Sequence, residues 1–317
     1  MGWISFLTPV AALVALVGVV PLVAYLAREP RGRQVRKALG LADPAPGAGR
    51  LLVAALVAVP LLAGVAAAQP VIDRSETLQE RADAEVFFVL DTSRSMLAAE
   101  GPDEPTRFER ARAAALELRT RLGDIPAGLA QMTDWTLPHL FPTIGPSSFR
   151  ATLTRSIAVG SAGSSGSDVL TTDLGALDVF ARQDIFSPDA RKRLLVVLTD
   201  GESEPVEPGL AVLDKEGIRT LFVHVWGADE SIFRPSGTEP QYRPDPTSER
   251  TLEQAAALVS GAVFDESELD GVAERARRHL GEGPTRPRKE RDLVALMPYV
   301  ILAAAVPLAL LLWRRNI

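Results

Sequence analysis

From Ala84 onward, short unbroken apolar runs alternate with longer amphipathic ones. Val86–Leu90 (VFFVL) has no polar interruption. Such a run reads as a strand buried on both faces, as in a parallel sheet. Leu194–Thr199 (LLVVLT) repeats the pattern, and Thr220–Trp226 and Ala262–Asp265 read as further strands. Between them the apolar period changes to that of a helix. In Pro105–Leu122, Phe108, Ala111, Ala115, Leu116 and Leu118 fall on or near one face, and Gly123 stands in the C-terminal glycine position. Ala127–Leu140 predicts two short strands around Asp134. Helices are expected over Ser147–Ile157, Asp168–Arg182, Gly209–Glu216, Glu249–Val259 and Leu269–Leu280, with a Gly/Ser loop at Ser161–Ser167. This alternation predicts an α/β fold, a doubly wound, mostly parallel sheet spanning 84–281. Gly227–Ser248 is too long and too rich in Gly and Pro for an ordinary connection, and is expected as a surface loop beside the site.

Three longer uncharged runs lie outside that region: 1–27, 51–72 and 293–313. Each is long enough to cross a bilayer as a helix; the third would be about 31 Å long. No Lys or Arg precedes the first run, so it lacks the basic start of a signal peptide, and Trp3 and Tyr25 could mark its two interfaces. Residues 28–50 carry Arg28, Arg31, Arg33, Arg36, Lys37 and Arg50 against Glu29 and Asp43. The positive-inside rule makes this loop cytoplasmic and puts the central region outside. Arg314 and Arg315 after the third run agree; Arg286, Arg288, Lys289 and Arg291 before it do not. A rival reading is signal cleavage after Ala68, in the small-residue stretch Ala66-Ala67-Ala68. It gives the same location. Gln69–Asp83 and 282–292 are expected as polar and charged linkers.

Charge sharpens the picture. The net charge of −6 hides a central region, Asp73–Gly283, with 22 basic and 36 acidic residues, net −14. Such a domain is a poor binder of nucleic acid. The absence of Cys removes thiol chemistry and disulfides.

Candidate chemistry gathers at the strand ends, where open α/β sheets place their sites. Asp91, Ser93 and Ser95 follow the first strand as D-x-S-x-S. One carboxylate and two hydroxyls form a hard oxygen set suited to Mg²⁺ or Mn²⁺. With Thr199-Asp200-Gly201 after LLVVLT, this pattern resembles the metal-ion-dependent adhesion site (MIDAS) of the von Willebrand factor A (VWA) family. That resemblance implies Asp91, Ser93, Ser95 and Asp200 as metal ligands. It also implies a third hydroxyl, for which Ser167 is favoured and Thr172 is the alternative, since the usual Thr is missing from the loop. Arg94 departs from the Gly often found there.

The spans and the Arg107-x-x-x-Ala111-Arg112 helix start are similar to bacterial membrane-anchored aerotolerance (Bat)-type VWA proteins. This implies an extracytoplasmic VWA domain on a multi-pass cell-membrane protein, in an envelope or stress-tolerance complex. The implied partners are an acidic residue of another protein at the metal, sister VWA proteins and a MoxR-type AAA+ ATPase system.

No catalytic residue is assigned. The second aspartic-protease element, the second acid of a haloacid-dehalogenase phosphatase and the G-K-[ST] of a P-loop are all missing. His224, inside an apolar strand, reads as a packed core residue. The competing functions are a Mg²⁺-dependent phosphate-ester hydrolase and a structural anchor with an empty metal site.

Overall fold

The computed structural model describes residues 3–40, 48–160, 172–234, 237–239 and 241–315. The chain forms two compact units, Met1–Glu76 with Arg291–Ile317, and Thr77–Glu290.

In the first unit the opening apolar run is not one helix. Strand β1 (Trp3–Phe6) leads into a 3₁₀ segment, Pro9–Gly18, and then helix α1 (Val19–Ala38). Much of the basic stretch expected as loop thus continues α1. Helix α2 (Ala48–Ala67) follows, then strand β2 (Pro70–Arg81). β1 pairs antiparallel with β2, with Trp3 opposite Asp73 and Phe6 opposite Pro70. Small residues let the apolar segments approach closely. A side chain at Gly64 would meet Ala15, and one at Gly18 would meet Pro60. Pro9–Arg31 and Gly49–Ala67 are long and apolar enough to cross a membrane.

The second unit holds β3 (Ala84–Asp91), β4 (Ala98–Ala99), α3 (Arg107–Arg121), β5 (Ala127–Met132), β6 (Thr136–Thr143) and α4 (Pro146–Arg155). Then come α5 (Val179–Arg182), β7 (Lys192–Thr199), α6 (Val212–Lys215), β8 (Ile218–His224), β9 (Ser231–Arg234), β10 (Gly237–Thr238), α7 (Ser248–Leu258), β11 (Ala262–Asp265) and α8 (Leu269–Leu280). Strand β12 (Thr285–Ala295) and helix α9 (Met297–Arg315) end the chain.

The main sheet has the order β11-β8-β7-β3-β5-β6; every pair is parallel except β5 with the edge strand β6. β3 lies inside it with both faces covered. Val86, Phe88 and Leu90 pack in one core with residues of α3, α4 and α8. Phe87 and Val89 pack in the other with residues 174–186, α6 and α7. Phe88 meets Phe149 edge-on at 5.3 Å, and Phe87 meets Phe180 at 5.1 Å and Phe186 at 5.2 Å. Gly128 makes room for Phe87: a Cβ there would lie 2.4 Å from the ring. Each buried Phe contributes about 1.5–3 kcal/mol. The doubly wound expectation therefore holds, with one antiparallel edge.

Three local expectations change. Both stretches read as linkers are largely strand, β2 and β12, and they join β1 in a second, three-stranded sheet. The long loop after β8 contains β9 and β10, and β9 also pairs with β4. Of the helix expected over Asp168–Arg182, the described part starts only at Leu174, as a 3₁₀ turn (Leu174–Asp178) running into α5. Thr172 instead pairs with Ser203 as an isolated parallel bridge, and the Asp173 carboxylate caps the turn by accepting from the Gly175 amide at 2.7 Å.

Candidate metal centre

The carboxyl ends of β3 and β7 bring the two motifs together. β3 delivers Asp91, fully buried, and the chain then coils into a short 3₁₀ turn (Arg94–Leu97). The Ser93 amide donates to Asp91 Oδ1 at 2.8 Å, and the Ser93 and Ser95 hydroxyls are 3.1 Å apart. D-x-S-x-S thus folds over the strand end with all three side chains on one locus. β7 delivers Thr199 and Asp200. The Thr199 hydroxyl donates to Asp91 Oδ2 at 2.5 Å and receives the Gly201 amide at 3.1 Å. Gly201 adopts φ +72°, and a Cβ there would lie 2.8 Å from the Ser248 carbonyl, so the motif needs glycine.

Thr172 completes the cluster. Its hydroxyl donates to Asp91 Oδ2 at 3.0 Å. Its backbone is fixed on both sides, with the Glu204 amide donating to the Thr172 carbonyl and the Asp173 amide to the Thr133 carbonyl, each at 2.9 Å. Ser167, the favoured third hydroxyl, lies outside the described residues. Asp91, Ser93, Ser95, Thr172 and Asp200 are therefore brought together.

A buried arginine adjoins them. Thr106 and Glu109 form a capping box: the Glu109 amide donates to the Thr106 hydroxyl, and the Thr106 amide to the Glu109 carboxylate. This fixes Arg107 as the first residue of α3. Its Nη1 donates to Asp200 Oδ2 at 2.9 Å and Glu202 Oε1 at 2.8 Å, and its Nε donates to Glu230. Trp226 and Tyr242 each have ring centroids 5.9 Å from the guanidinium carbon. The sequence marked Arg107 only as part of a motif match, and nothing local announces partners more than ninety residues away.

The electrostatics follow from burial. Desolvation raises the Asp91 pKa against the hydrogen bonds from Thr199, Ser93 and Thr172. Asp200 is pushed up to about 6, first by burial and then by the Asp91 charge, with Arg107 and the Ser95 hydroxyl opposing. Glu202 is raised by burial and by Asp200. Burial works against the Arg107 charge, but Asp200 and its neighbours outweigh it and raise its pKa.

Two buried carboxylates with only part of their charge balanced by one arginine, ringed by hydroxyls, fit a hard divalent cation. Softer metals are a poorer match. Among the described residues, no cluster of three or more His, Cys, Asp or Glu forms a metal-binding group. His224 takes no part as a ligand. It is buried and stacked on Trp226, and its Nε2 lies 3.0 Å from the Asp200 carbonyl and 3.1 Å from the Ser248 hydroxyl. Arg94, at the rim, pairs with Glu239 at 2.5 Å.

Sequence comparison agrees with the geometry. Residues 86–202 match the family model of the von Willebrand factor type A domain, so the chain carries a VWA domain. Among solved structures it is similar to BatB from Bacteroides thetaiotaomicron, with 20% identity and a TM-score of 0.52, covering 62% of this chain and 98% of that one. It is also similar to an aerotolerance-related membrane protein from Bacteroides fragilis, at 22% identity and a TM-score of 0.50, with the same coverage. At these identities the likeness is one of fold. No curated protein sequence gives a significant match.

Proposed function

We propose that Asp91, Ser93, Ser95, Thr172 and Asp200 hold Mg²⁺ or Mn²⁺, and that the site binds an acidic residue of a partner protein. One observation carries the reading. The D-x-S-x-S turn and the T-D-G strand end place two buried carboxylates and three hydroxyls around one point. When bound, a divalent ion with so few carboxylate ligands supplies an electrophilic position that an Asp or Glu from outside can fill. The residues of this chain orient that position. Thr199 and Thr172 fix Asp91 Oδ2 and the Ser93 amide fixes Asp91 Oδ1, while Arg107 acts as counter-ion on Asp200 Oδ2. Thr172 takes the third hydroxyl role because it already bonds Asp91.

In this reading two amino-terminal spans and one carboxy-terminal span anchor the VWA domain outside the cytoplasmic membrane. The likeness to the B. fragilis membrane protein supports an envelope setting, with sister VWA proteins and a MoxR-type ATPase system as partners to test. Hydrolysis of phosphate esters is disfavoured. The position two residues after Asp91, where a carboxylate-nucleophile phosphatase needs its second acid, is Ser93, and its hydroxyl lies against Ser95.

Calorimetric titration of the full-length protein in detergent with Mg²⁺ and Mn²⁺ tests the metal. Crosslinking from membranes with and without Mg²⁺, in wild type and Asp91→Ala, tests the partner. No metal binding, or crosslinks indifferent to both changes, would sink the proposal.

A further inference from the structure

The second unit contains another built feature, away from the metal centre. Among the described residues three arginines are buried there: Arg81, Arg107 and Arg119. Arg81 pairs with Asp83, and Arg107 with three acids. Arg119 differs. It is 5% exposed, and its Nη groups donate only to backbone, to the Gly123 carbonyl at 3.0 Å and the Ile144 carbonyl at 2.6 Å. Its Nε has no acceptor, and among the described residues no carboxylate comes within ion-pair distance. Burying a charge without a counter-charge is costly, and burial lowers the Arg119 pKa, opposed only by the more distant Asp124.

Arg119 lines a cavity of about 370 Å³. Leu78, Ile144 and Pro146 give it apolar walls, and Gln79, Thr120 and Asp124 a polar side. Arg119 lies twelve residues along α3 from Arg107, about 18 Å at 1.5 Å per residue. The cavity is therefore far from the metal centre.

We propose that this cavity binds a carboxylate carried on a short, branched apolar stem. Each Nη uses one N–H on its carbonyl and keeps a second, and two such N–H groups match a planar carboxylate. The stem would pack on Leu78, Ile144 and Pro146. A phosphate dianion fits less well, because the walls solvate it poorly and Asp124 repels it. The same chemistry is offered by a free branched-chain acid and by a peptide ending in leucine.

The test uses the full-length protein in detergent, titrated with 4-methylpentanoate and with 4-methylpentanamide, followed by calorimetry and ligand-observed NMR. The acid should bind saturably and at least tenfold more tightly than the amide. The amide partitions better into micelles, so this order cannot come from detergent. Leu78→Glu, at a half-buried wall position, should abolish binding without changing the melting temperature. Arg119→Gln should abolish it too, and the Leu78 variant decides the matter if Arg119→Gln does not fold. A short peptide ending in Leu, with free or amidated terminus, separates the sources. Binding of the free form alone assigns a protein carboxy terminus; binding of the small acid but neither peptide assigns a free metabolite. Equal binding of acid and amide, binding that survives Leu78→Glu, or no saturable binding would overturn the proposal and leave Arg119 as a pin between two loops.

Discussion

Replacing Arg107 with Met should move domain stability and metal affinity in opposite directions. Met nearly fills the volume and carries no charge, so packing changes little. What is lost is the cation shared by Asp200, Glu202 and Glu230, two of which are essentially inaccessible to solvent. Removing one partner of a buried ion pair costs about 3–5 kcal/mol, because the remaining charge stays buried. For a domain of this size each kcal/mol shifts Tm by roughly 2–4 °C, so the metal-free protein should melt roughly 6–20 °C lower. Mg²⁺ binding should change the other way. Nη1 no longer occupies Asp200 Oδ2, and a positive charge beside the site is gone. At an effective dielectric of about 20, a unit charge about 5 Å away is worth about 3 kcal/mol. Affinity should therefore rise at least tenfold. Thermal unfolding followed by the fluorescence of Trp226, which lies against the guanidinium, reads the first effect, and calorimetry reads the second. A metal-free Tm within about 2 °C of wild type, or weaker Mg²⁺ binding, would refute the view that Arg107 is an internal counter-ion competing with the metal.

Four other outcomes are expected. Asp91→Ala should abolish the Mg²⁺-dependent rise in Tm, worth about 2.7 kcal/mol at a hundredfold excess over Kd. It should shift the metal-free stability by only about 1 kcal/mol, since relief from burying the charge offsets the donors left by Ser93, Thr172 and Thr199; chemical denaturation checks this. Thr172→Val should weaken Mg²⁺ binding about tenfold and Ser167→Ala less, and the reverse order in calorimetry would move the third hydroxyl to Ser167. Asp200 has its pKa raised to about 6, so the folded state holds a proton that the unfolded state releases near 4. Metal-free stability should therefore fall as pH rises from about 4 through about 6, and Mg²⁺ affinity should rise over the same range as the proton is displaced; denaturant midpoints and calorimetry at stepped pH measure both. A reporter fused after Leu280 should be active only outside the cytoplasmic membrane, and cytoplasmic activity would reverse the topology.

How much the sequence revealed depended on the range of the forces involved. Val86–Leu90 could be read as a two-faced strand because both faces are buried, which leaves no polar residue to break the run. D-x-S-x-S and T-D-G were legible because each is a single turn at a strand end. The linkers were not legible as strands: β2 keeps only its ends buried and exposes Arg74–Thr77, so its composition is that of a loop while its backbone pairs. The two candidates for the third hydroxyl stand differently: Ser167 lies outside the described residues, while Thr172 is held by its bridge to Ser203 just before the Asp173 cap, a long-range pairing that the local sequence does not announce. Arg107 joins the two kinds of signal. Its position is set locally by the Thr106–Glu109 capping box, which decides where α3 begins and so which side chain leads it. Its partners come from two places, Asp200 and Glu202 just after β7 and Glu230 between β8 and β9, that only the sheet order brings near. A local motif thus aims a charge whose meaning is wholly non-local. The same reasoning picks out Arg119 at the far end of α3, where the helix supplies the guanidinium and, among the described residues, the fold brings no acid within ion-pair distance of it.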